Sequence, residues 1–326
     1  MADQNYFASE AISNSDLGYL KLSPRQFILR KRKDMQTKSG AMELGSLIHM
    51  FTLEPDSFII ADVEPVGGKM GEYIKAYYEL ERSNTPEDKI PDLAYKVSGY
   101  KPTHSKPETV LKSFKNKQEN VAFYNYLKES TDKIALNTKD KNIIEGCLQS
   151  LRSHKQSNEL LFSEAKDDIE VFNEEEMFFN LHDVDCKSKL DRIIVDNKNK
   201  VVTIVDLKTT SNQVYGDCTK LDSDTGILTR DWYTTGFMYS CLQYSYYRQL
   251  AFYISAAKSK YPDYEVKAFI IAVDTKGFYD VAVYKLPDEW IQEGNDQIKC
   301  LLTEYKNYKE SNNWHVKEGY EDVVEY

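Results

Sequence analysis

A mixed α/β fold with helical elements at its N-terminal end is what the order of hydrophobic patterns in this sequence predicts. Four strand-like segments follow one another between residues 169 and 208, separated by short polar turns. A helix-length segment then precedes a second strand pair, and an amphipathic helix closes the pattern. The stretch before residue 160 reads mainly as helix, with a broken polar region inside it.

Taken in order, Ser13-Asn-Ser-Asp16 offers N-caps for a short helix through Leu22, and Ser23-Pro24 restarts a second helix with proline at its first position. That second helix, Arg25 to about Lys33, is basic. Ala41 to Leu53, AMELGSLIHMFTL, is apolar nearly all round and stopped by Pro55, so it reads as a buried helix with Gly45 and His49 one turn apart. From Asp62 to Glu119 the chain is polar and punctuated by Gly67-Gly68, Pro86, Pro91, Pro102 and Pro107, which predicts an irregular insertion or lid with a helix near Gly71 to Arg82. Asn120 to Lys128 and Lys139 to Ser153 have helical periodicity.

Ile169 to Phe172, Met177 to Leu181, Val184 to Val195 and Val201 to Lys208 read as consecutive strands of an antiparallel meander. Thr209 to Phe237 is rich in Gly, Asp and Thr and too long for a simple turn, which makes it functional or mobile. Gln243 to Lys258 follows as a helix with Gln249 and Tyr253 on one face at i, i+4. Val266 to Val273 and Phe278 to Leu286 make a strand pair, and Asp288 to about Lys309 is the closing helix. The expected organisation is one domain over residues 1–326: a helical part (1–60) carrying His49, an irregular or helical insertion (61–160), an α/β core (161–310) and a tail (311–326).

Composition bounds the function. A chain of 326 residues is long enough for a sizeable core, and a domain near that length buries roughly 75% of its unfolded surface. Forty-one per cent hydrophobic residues, 29% charged residues and nine prolines describe an ordinary globular protein rather than a disordered one. A formal charge of -10 argues against wholesale coating of nucleic acid, yet Lys21 to Lys38 holds seven basic residues against the single acid Asp34. That run is either a solvated helix face or a local phosphate-binding groove. The five cysteines are scattered and never form a C-x-x-C pair, which fits a reduced cytosol and weakens any zinc or iron–sulfur proposal. The N-terminus lacks the basic and apolar regions of a signal peptide, and no apolar run approaches the ~20 residues of a membrane helix, so the expected location is the cytoplasm.

The chemistry concentrates in Asp191 to Lys208, DRIIVDNKNKVVTIVDLK. Side chains alternate along a strand, so Asp206 and Lys208 share one face while Val205 and Leu207 share the other. Asp191 sits across the hairpin within reach of the Asp206 face. Two carboxylates converging on one point repel unless a cation lies between them, and oxygen ligation with open water positions suits Mg²⁺ or Mn²⁺. The ammonium then orients a water or steadies a phosphate. Each residue also has a plainer reading. Asp-x-Lys can mark a strand emerging into solvent, Asp191 can pair with Arg192 or Lys189, and His49 can be a hydrogen-bonded core histidine. Glu170 is either a strand-edge acid or an extra ligand, and Gln249 and Tyr253 can simply pack and hydrogen-bond in the core.

The order of the set carries a resemblance. His49 in a G-x-x-x-H helix, Asp191 in a strand, Asp206-x-Lys208 in the next and Gln249-x-x-x-Tyr253 in a later helix resemble the RecB-type branch of the PD-(D/E)xK nuclease superfamily. The flanking segments AISNSDLGYLKLSPRQF, AMELGSLIH, KSKLDRI, VDLKTT, YYRQLAFY and SNNWHVKEGY resemble, in the same order, those of the RecE-type exonucleases, the exonuclease VIII group. The similarity runs from Ala11 to Tyr320 and is weakest over 62–119 and 211–237. It implies a restriction-endonuclease-like core in which His49, Asp191, Asp206 and the backbone carbonyl of Leu207 bind metal, with Glu170 as a further candidate acid. Lys208 is then the catalytic lysine, and Gln249 and Tyr253 shape the site or touch the DNA backbone.

The implied activity is Mg²⁺-dependent hydrolysis at the ends of linear double-stranded DNA, 5′ to 3′, leaving single strands for recombination. Mn²⁺ is expected to substitute. Arg25, Arg30, Lys31, Arg32 and Lys33 would contact phosphates. Implied partners are a ring-like homo-oligomer, a tetramer by family precedent, and a single-strand annealing protein of the RecT type, with no membrane. Two alternatives stay open: a RecB-like module acting on single strands with a helicase or CRISPR system, and a DNA-binding scaffold that has lost catalysis. Only Cys300 lies near the C-terminus, so no iron–sulfur cluster is expected.

Overall fold

Short polar residues start the first helices through their capping chemistry. In the computed structural model, which describes residues 4–31, 40–57, 59–103, 105–129, 133–215, 220–221, 225, 228–229, 236–315 and 317, α1 (Gln4–Ala8) is followed by α2 (Asn14–Leu22), α3 (Pro24–Lys31) and α4 (Gly40–Leu53). The Ser13 hydroxyl accepts from the Asp16 N–H, and the Asp16 carboxylate accepts from the Ser13 N–H, a reciprocal cap that fixes where α2 begins. Pro24 opens α3, where a missing N–H removes no helical hydrogen bond. Phe27 on α3 is buried and stacks on Trp314, with ring centroids 5.2 Å apart, which ties the chain's far end to its beginning.

The chain divides into two compact units, Met1–Leu53 with Gly146–Tyr326, and Glu54–Glu145. The second unit keeps the helix expected near Gly71 to Arg82 but corrects the irregular reading of the rest of 62–119, which is helical as well. After a 3₁₀ turn (Pro55–Ser57) and β1 (Ile59–Ile60) come α5 (Gly68–Arg82), α6 (Ile90–Val97), α7 (Pro107–Asn116) and α8 (Gln118–Glu129), then β2 (Lys133–Ile134), parallel to β1, and the start of α9 (Thr138–Ser153). Tyr73, Ile74, Ala94, Val110, Phe114 and Phe123 form its core. Pro91 and Pro107 break nothing, because each lies in the first turn of its helix.

The larger unit continues with α10 (Lys155–Leu161), β3 (Ile169–Leu181), β4 (Val184–Asp196), β5 (Val201–Thr210), the short β6 (Lys220–Leu221) and β7 (Leu228–Thr229), α11 (Gly236–Gln243), α12 (Tyr246–Lys260), β8 (Glu265–Asp274), β9 (Val281–Tyr284) and α13 (Asp288–Ser311). The main sheet has the order β3-β4-β5-β8-β9. It is an antiparallel meander only through β5, since β5 pairs with β8 in parallel. A parallel pair needs a long crossover, and α12 supplies it. Leu250, Ala251, Phe252, Ala256 and Ala257 of that helix are buried in the main core with Leu190, Ile193, Val202 and Ile204 of β4 and β5. Val205 and Leu207, on the opposite face of β5, are also buried, as befits a central strand covered on both sides.

Two further expectations change. β3 is one strand of 13 residues where two were expected, because the acidic run Glu174-Glu-Glu176 lies inside it rather than in a turn. The expected helix from Gln243 is two helices, separated at Ser245 by a left-handed backbone (φ 54°). The expected loop Thr209–Phe237 ends inside α11, where Phe237 is fully buried; residues 216–219, 222–224, 226–227 and 230–235 lie outside the described ones.

Candidate metal centre

The β3–β4 hairpin turns on His182 and Asp183, both at positive φ (51° and 64°), as a two-residue turn between twisted strands requires. That turn fixes the register, so that Asn173 faces Arg192 and Glu175 faces Leu190. Glu174 therefore lies opposite Asp191. Its own φ is 54°, an unfavourable conformation for a residue with a Cβ and a frequent mark of functional sites.

Helix α4 brings the third group. A Cβ on Gly45 would sit 2.9 Å from the Thr209 hydroxyl, so only glycine lets α4 approach β5 this closely. One turn later His49 Nδ1 lies 3.6 Å from Asp191 Oδ2. His49, Glu174 and Asp191 each offer a ligand atom, and these atoms all lie within 4.8 Å of one another. The Leu207 N–H donates to Asp191 Oδ2 at 2.8 Å, and the His49 imidazole hydrogen-bonds the Leu207 backbone. The expected positions of His49, Asp191 and Leu207 thus come together.

Asp206 and Lys208 sit beside them, on one face of β5. Lys208 Nζ is 2.7 Å from Asp206 Oδ2 and 2.9 Å from Oδ1. Asp206 is 1% exposed, and its Oδ2 accepts no hydrogen bond of normal geometry despite that ion-pair contact. Burial pushes the Asp191 and Asp206 carboxyls each up to about 6, with Lys208 pulling the other way and, for Asp206, the Asp191 charge adding to the rise. Burial works against the Lys208 ammonium, but the two aspartates outweigh it and hold the group at about 12. Burial first, then Lys208, pushes His49 down to about 4, so at neutral pH the imidazole is an uncharged lone-pair donor. Crowded carboxylates with raised proton affinity, one incompletely satisfied oxygen and a neutral imidazole fit a divalent cation. One nitrogen among carboxylate oxygens suits Mg²⁺ or Mn²⁺ better than a soft metal.

Helix α12 lines the same place. Gln249 Nε2 donates to the Tyr253 hydroxyl at 2.7 Å, and Tyr253 is buried close enough to Asp206 and Asp191 for their charges to raise its hydroxyl, after burial itself, well above the ordinary range. Tyr246, one turn before Gln249, faces Lys208, whose Nζ is 5.1 Å from the ring centroid.

Other expected residues fall elsewhere. Glu170 lies outside this cluster: it is exposed, faces Val195 and accepts from Asn197 at 2.7 Å, four residues along β3 from Glu174 toward the β4–β5 turn. The signal that finds Glu174 was available, since counting back from the His182–Asp183 turn sets it against Asp191. Of the plainer partners for Asp191, Arg192 turns to the opposite face and donates to the Leu160 carbonyl and Asn173 Oδ1, both at 2.8 Å. Lys189 pairs with Glu174 instead, at 2.7 Å. In the basic helix, Arg25 is exposed, Arg30 lies over the Tyr19 ring, and Lys31 is committed to the Ala11 carbonyl (3.1 Å) and Asp16 (3.2 Å), which makes Lys31 a tie between α3 and the α2 cap. Arg32 and Lys33 lie outside the described residues.

A mixed five-stranded sheet carrying these acids and a lysine on three adjacent strands, β3, β4 and β5, defines a PDDEXK-like domain, an α/β nuclease fold. The family model described as "PDDEXK-like domain of unknown function (DUF3799)" matches residues 75–324, and the chain belongs to that family. PDDEXK nucleases use divalent metals, and the match takes in Glu174, Asp191, Asp206, Lys208, Gln249 and Tyr253, while His49, Gly45 and the basic helix α3 precede it. Among solved structures, one from Eubacterium rectale described as a "Putative exonuclease" is 14% identical, covers 90% of this chain and 96% of its own, and has a TM-score of 0.40. Another, named SSO0001, is 12% identical, covers 78% and 85%, and has a TM-score of 0.22. No curated protein matches the sequence. Among the described residues no helix is long and apolar enough to cross a membrane.

Proposed function

We propose that this protein is a metal-dependent DNA exonuclease of the RecE type, which hydrolyses phosphodiester bonds at the ends of linear duplex DNA, 5′ to 3′, and leaves single strands for annealing or recombination. The observation that carries the reading is the convergence of His49, Glu174 and Asp191 beside the Asp206–Lys208 pair on adjacent strands of a PDDEXK-like sheet. The DNA-end substrate rests on the sequence resemblance described above.

His49, Glu174, Asp191 and Asp206 would hold a divalent cation, Mg²⁺ or Mn²⁺, which when bound polarises a phosphate oxygen and lowers the pKa of a water. Lys208, kept protonated by the aspartates, orients the attacking water and neutralises negative charge that develops on the phosphate. Tyr253 and Gln249 hold each other and wall the carboxylates from the α12 side. Exposed basic residues such as Arg25 steady the DNA backbone, which makes binding weaken with salt. A ring-shaped homo-oligomer and a RecT-type annealing partner complete the proposal.

Digestion of end-labelled linear, nicked and circular duplexes with Mg²⁺ tests it. The expected result is loss of label from linear DNA alone and no digestion by Lys208→Ala. Cleavage of the closed circle, or full activity in Lys208→Ala, would overturn the assignment.

A further inference from the structure

Four aromatic rings form a continuous run from the edge strand β9 past the buried Phe237 to the surface beside Lys208. Tyr284 of β9 stacks on Phe237 of α11 (centroids 5.5 Å apart, planes at 23°), and Phe237 lies against Tyr246 of α12 (5.9 Å, 32°). Tyr246 lies against Tyr244 (5.8 Å, 32°). Burial is deepest at Phe237, which is 1% exposed, and from there falls toward the surface: Tyr246 is half-buried and Tyr244 59% exposed, while Tyr284 at the other end is itself half-buried. Tyr246 is also the ring that Lys208 Nζ faces. The run therefore ends in an open aromatic face one ring away from the lysine of the centre.

Two features argue that this end is built rather than incidental. The residue between the last two rings, Ser245, is buried and holds a left-handed backbone with no side-chain cap, a conformation kept only where its surroundings impose it. A regular helix through residue 245 would put residues 244 and 246 about 200° apart around its axis and separate their rings. In the same stretch of chain Tyr239 and Leu242 of α11 are 51% and 40% exposed, so that three large, mainly apolar side chains within six residues face water.

We infer that Tyr244 is a stacking platform for an unpaired nucleobase of the strand being cut, and that it positions the nucleotide so that its phosphate meets Lys208. This rests on the nuclease reading above. The partner follows from place: whatever covers Tyr244 stands next to the reacting phosphate, and in a nucleic acid the group joined to that phosphate is a sugar bearing a flat base. Base-on-aromatic stacking is indifferent to sequence, because every base has a π face. The platform thus serves an enzyme that must advance through any sequence, and it selects DNA whose terminal base can leave its pair.

The test compares kcat/KM with Mn²⁺ on linear duplexes whose last or penultimate nucleotide, at either the 5′ or the 3′ end, carries either a normal base or an abasic tetrahydrofuran. For the wild type, an abasic residue at one of these positions lowers kcat/KM about tenfold, within the range of a single stacking contact. Tyr244→Leu loses about as much on the base-bearing substrate and no longer distinguishes it from the abasic one, while Tyr244→Phe, which keeps the ring, recovers the loss. A merely structural role would lower both substrates equally and leave the ratio intact. The inference falls if Tyr244→Leu still prefers the base-bearing end as the wild type does, or if the wild type shows no preference at any position. A wild type that digests none of the substrates would bring down the nuclease reading itself.

Discussion

The two compact units differ most in what they bury. The interior of Glu54–Glu145 is rings and aliphatic chains, and among its described residues the buried polar ones are the uncharged Ser98 and Asn120. The larger unit buries Lys187, Arg192, Asp206, Arg248 and Asp274, and nearly buries His49 and Asp191. Taking a charge out of water is expensive unless it is paired and hydrogen-bonded. Lys187 and Arg192 are satisfied by backbone carbonyls, and Asp274 caps the β8–β9 turn through the N–H groups of Lys276, Phe278 and Tyr279. Around His49 the satisfaction is incomplete: Asp191 accepts from the Leu207 N–H and Glu174 pairs with Lys189, but the buried Asp206 Oδ2 accepts no hydrogen bond of normal geometry. The difference teaches that one unit is organised for stability and the other tolerates local instability where chemistry needs it.

The contrast between the two units shows most strongly when the lysine of the metal centre is removed. Lys208→Ala should lower metal-dependent DNA hydrolysis by about 10³-fold, the scale of losing a positioned charge at a reacting oxygen, measured by single-turnover digestion. The matching change in the other unit is Phe114→Ala, expected to cost about 3–5 kcal/mol in a denaturant melt while leaving Mn²⁺ affinity unchanged. If Phe114→Ala abolished metal binding, the division of labour would be wrong. Gly45→Ala should displace α4 from Thr209 and weaken Mn²⁺ binding by about 10–100-fold, as loss of a positioning contact does, read by calorimetry.

The smallest effect is on pH. The carboxyls of Asp191 and Asp206 sit at about 6 when folded, above the ordinary 3.8, so the folded protein holds protons more tightly than the unfolded chain. The stability they confer is full below the ordinary value and is lost as pH rises through about 6. His49, lowered to about 4, acts in the opposite sense: its contribution is present above 6.5 and is lost as pH falls through about 4. With two carboxyls against one imidazole, the site of the metal-free protein should lose stability as pH rises through about 6. Asp206→Asn should flatten that dependence in thermal melts, and Mn²⁺ should raise Tm at neutral pH and barely at pH near 4.5. A metal effect equal at both pH values would contradict this.

Much of the centre was legible because β strands have a period of two. Alternation alone put Asp206 and Lys208 on one face of β5, and they are there, joined as an ion pair. The helix with Gly45 and His49 was legible from its apolar run and the Pro55 stop. Glu174 was hidden because three consecutive acids resemble a turn, and only the register set by His182 and Asp183 reveals that they continue a strand. Within Glu54–Glu145, α5 and α8 were legible from their periodicity, but α6 and α7 were hidden because proline is read as a breaker, whereas Pro91 and Pro107 are helix starts. Ser245 was illegible for another reason: a left-handed backbone at a residue with a Cβ is imposed by packing, and no local preference encodes it.

The acid that completes the cluster with His49 and Asp191 is Glu174, brought in by the hairpin register. Calorimetric titration of Mn²⁺ into the wild type, Glu174→Gln and Glu170→Gln at neutral pH tests it most directly. The wild type and Glu170→Gln should bind Mn²⁺, and Glu174→Gln should bind it at least about tenfold more weakly. Unchanged affinity in Glu174→Gln, or loss in Glu170→Gln alone, would contradict that role for Glu174.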